Sequence, residues 1–436
     1  MSDSARLAVL EQQVASLTTR LTRLELEANS TRRPRFRQRA VAADAAPRFR
    51  PVEPAACLHL SPCLRTTAAD RLARGCASSV WSGRWSMRPA AGGANLRNAD
   101  AWETQRFHSA AAAACDVADP FVVAPALRGR ARATPTVATE QYTLGRLEGV
   151  RNALWLMVGT SIDHGITYEV CVRFGREVLV AKAAPTNLHP KPGLTFQWCR
   201  LPSPLNLTLA EASLHGLTAL AFQRDASRYA THLSELQALL TTIGHGAGPD
   251  FVSLAGAEWD FKQFGIQGMQ PSTADDWGAI RSSLEMQLGA ARRQWPRVRG
   301  VFLRTQFATT YRWSAKWKDL DGSVYAKYSD IMREIAAEGS PEYAAAVGVP
   351  ATAPPACGRA GVLDISAMMN CSFERPVSKV DSDFIGGGTG TGKCGRESGW
   401  TRDGLHPNVW VYLRYFAVST NVLADFGEAC RPGVVR

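Results

Sequence analysis

Apolar residues recur along this chain in three rhythms, and each predicts a different kind of structure. Leu7, Leu10, Val14, Leu17, Leu21 and Leu24 follow alternating steps of three and four with polar residues between them. A stripe that narrow is a heptad seam, too thin for a globular helix face. Residues 1–30 are therefore predicted as a short coiled-coil helix, and residues 7–24 as a route to a homo-oligomer. Residues 31–52 lose the rhythm and read as a linker that holds Pro-Arg-Phe-Arg twice, at 34–37 and 47–50. Residues 53–146, rich in Ala, Arg, Cys and Trp, sustain no period and are expected to form an irregular subdomain packed on residues 147–436.

From residue 147 the pattern becomes one of short aliphatic runs alternating with long helical segments. Strands are predicted near 153–159, 177–181, 250–255, 298–304 and 361–366. Helices are predicted near 166–174, 224–242, 273–294, 323–337 and 408–424. Ser272 or Thr273, followed by Asp275 and Asp276, makes a good helix start because acids suit the positive end of the helix dipole. Strands separated by helices of this length require crossover connections, and hence a mainly parallel sheet covered on both faces. The expected fold class is α/β, a three-layer α/β/α sandwich over residues 147–436, with its site at the carboxyl ends of the strands.

Charge changes the picture little. The formal net charge is +11, but residues 32–50 hold seven Arg against one Asp, which leaves only +5 to the rest of the chain. No nucleic-acid module accompanies that charge, so nucleic acid is not expected as a partner. The Arg-rich linker has a bland reading as a solvated spacer and a sharper one as a contact to an anionic membrane surface or polysaccharide. Ten Cys occur without zinc-like spacing, so no metal and no cofactor is expected. Paired cysteines and the sequons at Asn29, Asn206 and Asn370 would suit a secretory lumen or the extracellular space. Against that address, the first 30 residues carry no apolar h-region, and no later run approaches the roughly 18 apolar residues of a spanning helix.

Two segments carry chemistry. The run Ala153–Val158 enters Gly159-Thr160-Ser161-Ile162-Asp163, where a buried strand turns sharply into a helix and Gly159 permits the turn. Ser161 then stands at a strand's carboxyl end and a helix's amino end, where backbone N–H groups can stabilise an oxyanion; a serine there also serves as a simple helix cap. Near the other end, Asp403-Gly404-Leu405-His406-Pro407 precedes an amphipathic helix. An Asp three residues before a His can fix the imidazole tautomer and leave the second ring nitrogen to take a serine proton.

Gly-x-Ser after the first strand, with Asp-x-x-His before the last helix, resembles the SGNH or GDSL hydrolase superfamily. The segment Leu-Glu-Gly-Val-Arg-Asn-Ala-Leu-Trp-Leu-Met-Val-Gly-Thr-Ser, residues 147–161, and the block Ala255-Gly-Ala-Glu-Trp-Asp260 resemble its PC-esterase and trichome-birefringence-like branch. The resemblance implies a Ser161–His406–Asp403 triad. It also implies an oxyanion site from the N–H of Ser161 and another backbone donor near Gly256 or Gly193, because Ala255 stands where an Asn is usual. Thr160 likewise replaces the usual Asp. Thr160, Asp163, Trp259, Asp260 and Arg304 are the candidates for a substrate pocket, with Arg304 facing either an acidic substrate group or Asp260.

The expected function is a serine-dependent esterase or O-acyltransferase. The resemblance implies a small acyl (acetyl) ester, carried on carbohydrate, as substrate. The rival is an inactive carbohydrate-binding or scaffold protein multimerised by its coiled coil. Gly387–Lys393 has the spacing of a phosphate loop, but Cys394 replaces the required Ser or Thr and no strand precedes it. It is expected to be a loop that closes over the site as a lid.

Overall fold

A computed structural model describes residues 67–73, 81, 118–123, 137–182, 195–213, 226–255, 273–306, 322–347, 355–369, 407 and 409–430. Seven strands form one sheet: β1 Leu154–Gly159, β2 Arg176–Lys182, β3 Thr195–Arg200, β4 Thr208–Ser213, β5 Phe251–Leu254, β6 Gly300–Arg304 and β7 Gly361–Leu363. Their order is β2-β3-β4-β1-β5-β6-β7. The five strands from β4 to β7 are parallel. The pairs β3–β4 and β2–β3 are antiparallel and extend one edge. The expected α/β sandwich with a mainly parallel sheet is what the chain adopts. The coiled coil expected over residues 7–24 and the linker at 31–52 lie outside the described residues.

β1 runs through the middle of the sheet, and its side chains explain why it reads as an unbroken apolar run. Leu154, Leu156 and Val158 join the core on one face, while Trp155 and Met157 join the core on the other. A strand covered on both sides has no polar face to alternate with. The first of these cores is closed by helices α2 Ala226–Thr242, α3 Ala274–Gln294 and α4 Gly322–Glu338, through residues such as Leu233, Ile280 and Met332. The opposite face is covered by α1 Ser161–Phe174 and α5 Val409–Ala429, through Ile162, Ile166, Val418 and Val422.

Several elements differ from expectation. α1 begins at Ser161 rather than near 166, and β7 stops at Leu363, with a short helix Ile365–Met369 taking the remaining residues. β3 and β4 are additions. The six residues Thr-Leu-Ala-Glu-Ala-Ser of β4 have weak strand propensity, and their pairing with β1 overrides it.

α5 is buried almost all round, which a helix on the outside of a sandwich is not. The described parts of residues 53–146 supply the missing cover. The Trp81 ring lies 5.6 Å from that of Tyr415, and the Phe121 ring lies 5.6 Å from that of Phe416. Asn421 accepts from the N–H of Ala118 at 2.8 Å and donates to its carbonyl at 2.7 Å. Asp425 receives Arg71 at 2.7 Å and a two-pronged Arg146 at 2.8 and 3.0 Å. Gly149 and Gly427 permit this approach: a Cβ on either would meet backbone of the other element at 2.0–2.2 Å.

Among the described residues, two disulfides pin the layers. Cys171 at the end of α1 is joined to Cys199 on β3, and Cys357 to Cys430 just past α5. Among the described residues, no helix is long and apolar enough to cross a membrane.

Candidate active site

The strand order determines where a site belongs. From β1 the chain moves to one side, ending at β4 next to β1, and then crosses to β5 on the other side. The crevice at such a reversal opens at the carboxyl ends of the two strands that flank it, here β1 and β5. Ser161 is the second residue past the end of β1, and Ala255 the first past the end of β5. The Ala255 N–H donates to the Val158 carbonyl at 2.9 Å, which holds the two strand ends side by side.

The turn that carries Ser161 is built from its neighbours. Thr160 is the N-cap of α1, with an extended backbone; its hydroxyl accepts from the Ile162 N–H at 3.3 Å. The Asp163 carboxylate reaches back to the Thr160 N–H at 2.9 Å, completing a reciprocal capping box. Ser161 is thereby the first residue of the helix. Its N–H is among the four that no intrahelical carbonyl can accept, at the positive end of the dipole.

Gly159 has a different role from the expected one. It is not in the left-handed region. It lacks a side chain because the Asp163 carboxylate occupies the space: a Cβ there would lie 1.9 Å from Asp163 Oδ2. The spacing Gly159, Thr160, Asp163 is thus one interlocked unit.

Arg304, at the end of β6, completes the unit. Its Nε and Nη2 each donate to an Asp163 oxygen at 2.8 Å, and Nη2 also reaches Thr160 Oγ1 at 3.4 Å. Its Nη1 donates to the Thr305 carbonyl at 3.3 Å and to Gln306 Oε1 at 3.4 Å. Asp163 and Arg304 are both about 1 % exposed. A two-pronged, fully desolvated pair of this kind fixes geometry more than it adds stability. As pocket candidates the two therefore stand one layer below the surface, bracing the turn that carries Ser161. Tyr415 of α5 lies against the same pair, and burial pushes its phenol well above the ordinary tyrosine range.

The buried polar layer continues along the carboxyl edge. Thr305 donates to Asp364 at 2.8 Å, and Arg333 forks onto Asp364 at 2.7 and 2.9 Å. The Ser329 hydroxyl bridges the N–H and carbonyl of Gln306 at 3.1 and 2.6 Å.

Of the residues expected from sequence, Ser161, Thr160, Asp163 and Arg304 come together. Asp403, His406, Gly193, Gly256, Trp259, Asp260 and the loop at 387–393 lie outside the described residues. Two described neighbours bear on the Asp403–His406 segment. Pro407 is buried, and Tyr412, in the first turn of α5, packs on Gly165, where a Cβ would lie 2.5 Å from the phenol oxygen. The amino end of α5 therefore stands beside the first turns of α1.

Sequence reasoning missed a second cluster. His164, one turn below Ser161, sets Nδ1 3.2 Å from a carboxylate oxygen of Glu211 on β4, whose side chain is fully buried. Gln197 on β3 donates to the His164 carbonyl at 2.7 Å. A His three residues after the candidate Ser was visible in the sequence, but Glu211 was hidden in an unrecognised strand. Among the described residues, no three of His, Cys, Asp and Glu gather as a metal-binding group.

No family model matches the chain, and no curated protein matches it. Among solved structures it is similar to a putative GDSL-like lipase from Parabacteroides merdae, with 11% identity and a TM-score of 0.32 over 62% of this chain and 97% of that one. It is also similar to LAE5, an α/β hydrolase enzyme from the metagenome of Lake Arreo, with 14% identity and a TM-score of 0.32 over 63% of this chain and 97% of that one.

Proposed function

We propose that the protein is a serine-dependent acyl-transfer enzyme, with Ser161 as nucleophile, His406 as general base and Asp403 as the group that orients His406. Ser161 Oγ attacks the carbonyl carbon of an ester while His406 takes its proton. The oxyanion is met by the Ser161 N–H and a second backbone donor at Gly256. Collapse of the tetrahedral intermediate breaks the ester C–O bond. His406 returns the proton to the departing alcohol, which leaves an acyl group on Ser161. Water then releases the acid, or a second hydroxyl accepts the acyl group.

The observation that carries this reading is the clamped turn at the reversal of strand order. Gly159, Thr160, Asp163 and Arg304 hold Ser161 at the head of α1, and α5 starts beside that head. In the sequence His406 stands three residues before Val409, the first residue of α5, and this supports its assignment as the base. Gly-Thr-Ser and Asp-x-x-His occur in that order along the chain, and their resemblance to the PC-esterase branch supports an acetyl ester of a carbohydrate as substrate.

Wild-type protein is expected to hydrolyse p-nitrophenyl acetate and to be labelled by a fluorophosphonate probe. Ser161→Ala should abolish both. Asp403→Asn and His406→Ala should each lower kcat by about 10³–10⁴. Absence of both hydrolysis and Ser161-dependent labelling in wild type would overturn the enzyme reading and favour the scaffold alternative.

A further inference from the structure

Ser161, His164 and Tyr168 stand at i, i+3 and i+7 of α1, and so form one stripe along the helix. The stripe is open to solvent where most of α1 is not. Ser161 is half-buried, the His164 side chain is 35% exposed, and Tyr168 is 47% exposed, the one exposed large hydrophobic residue among those described. It runs about 10 Å from the nucleophile, at 1.5 Å of rise per residue.

The two rings on the stripe are stacked, with planes that differ by only 12° and centroids 6.4 Å apart. Glu211 sets the His164 ring in place. Its carboxylate lies inside the sheet–helix interface on β4, opposite Met157 of β1 and Gln197 of β3, and approaches Nδ1 at 3.2 Å. Burying a carboxylate is costly unless it is hydrogen-bonded. With Nδ1 engaged by Glu211, Nε2 is the ring nitrogen that Glu211 leaves to other partners. The exposed Tyr168 ring beside a partly exposed imidazole suits a ring that bears hydroxyls, since C–H groups pack on an aromatic face while a hydroxyl meets the imidazole.

We propose that His164 and Tyr168 form a specificity subsite for the alcohol part of the ester, a cyclic polyol of pyranose size, with Glu211 as the positioning residue that orients His164. This rests on Ser161 being the nucleophile. The subsite makes the enzyme selective for esters of ring polyols over esters of simple alcohols.

The test compares kcat and KM for a mono-O-acetylated methyl pyranoside and for ethyl acetate, in wild type, His164→Ala, Tyr168→Ala and Glu211→Gln. On the pyranoside ester, KM is expected to rise about 10-fold in His164→Ala and about 3- to 10-fold in Tyr168→Ala, with kcat little changed. Ethyl acetate should stay within about 2-fold in both. Glu211→Gln should reproduce part of the His164→Ala effect and change the ¹⁵N shifts that report the His164 tautomer. Equal losses on both esters, or no loss on the pyranoside, overturn the subsite and leave Ser161 catalysis standing. If wild type cleaves neither ester and Ser161 is not labelled, the acyl-transfer reading fails. The subsite is then judged by saturation-transfer NMR with unacetylated methyl pyranoside. A signal lost in His164→Ala and Tyr168→Ala sustains it, and no wild-type signal overturns it.

Discussion

Among the described residues, two buried arginine–aspartate groups do different work with the same chemistry. At the carboxyl edge of the sheet, Arg304 forks onto Asp163, which in turn holds the Thr160 N–H and so the turn of Ser161. Toward the far end of α5, Arg71 and Arg146 converge on Asp425 and fasten the helices Ala68–Ala73 and Val137–Arg146 to that helix. All five charged side chains are nearly inaccessible. A buried pair costs desolvation that its attraction only roughly offsets, so neither group exists chiefly to add stability. The first fixes the turn that carries Ser161, and the second fixes which segment covers the helix.

The largest expected effect separates the two. Asp163→Asn and Asp425→Asn each leave arginine charge buried without its partner, which costs about 3–5 kcal/mol. Urea midpoints should fall comparably. At a temperature where both variants remain folded, only Asp163→Asn should slow fluorophosphonate labelling of Ser161, by at least about 10-fold. Slow labelling in Asp425→Asn as well would mean that the two ends of the molecule are coupled and that the contrast is wrong.

The disulfide at the far end offers a second cut. Cys357–Cys430 ties the chain ahead of β7 to the end of α5, across 73 residues. Loop-closure entropy assigns it on the order of 4 kcal/mol. A Cys357→Ser/Cys430→Ser variant should lose about that much stability, measured by urea titration, and keep the wild-type labelling rate of Ser161.

Much of this contrast could not be read from the sequence, for reasons that differ by element. β1 was legible because a strand covered on both faces is a continuous apolar run, and α3 because Thr273 with Asp276 forms a local capping box. The true start of α1 was not, because a helix buried on most sides shows no amphipathic period. Ser161 was legible from its position between strand and helix. Arg304 and Asp163 both stand out as candidates in the sequence, but their pairing does not, since they lie 141 residues apart and only the fold brings them together. Glu211 was invisible for the same reason. Gly159 was noticed for its freedom to turn, whereas its role is to leave room for a carboxylate.

Acid provides a third, smaller effect, and it comes from the other face of the sheet. His232 of α2 is buried, with Glu235 Oε2 3.5 Å from Nδ1, and desolvation lowers its imidazole to about 4. The unfolded chain takes up this proton as pH falls through about 6.5, while the folded chain resists until about 4. The contribution to stability is therefore complete above pH 6.5 and is lost progressively below it, by about 2 kcal/mol at pH 5. His232→Leu should flatten that part of the urea-midpoint profile. If it does not, His232 is not the source of the acid sensitivity.

The smallest expected change in stability is the most informative about what those groups are for. Replacing a whole buried ionic group by apolar residues of similar size is often neutral, because the desolvation cost disappears along with the attraction. Arg71→Met/Arg146→Met/Asp425→Leu should therefore fold with a urea midpoint near that of wild type, and should label at Ser161 at the wild-type rate. Arg304→Met/Asp163→Leu removes the other group as completely, but it also removes the carboxylate that accepts the Thr160 N–H. Losing that half of the capping box costs about 1 kcal/mol, which leaves a modest deficit in stability. Labelling of Ser161 should not recover, because nothing apolar can hold Thr160 and the head of α1 as the carboxylate does. Recovery of both stability and labelling in that variant would show that packing alone places Ser161, and the distinction between the two ionic groups would collapse.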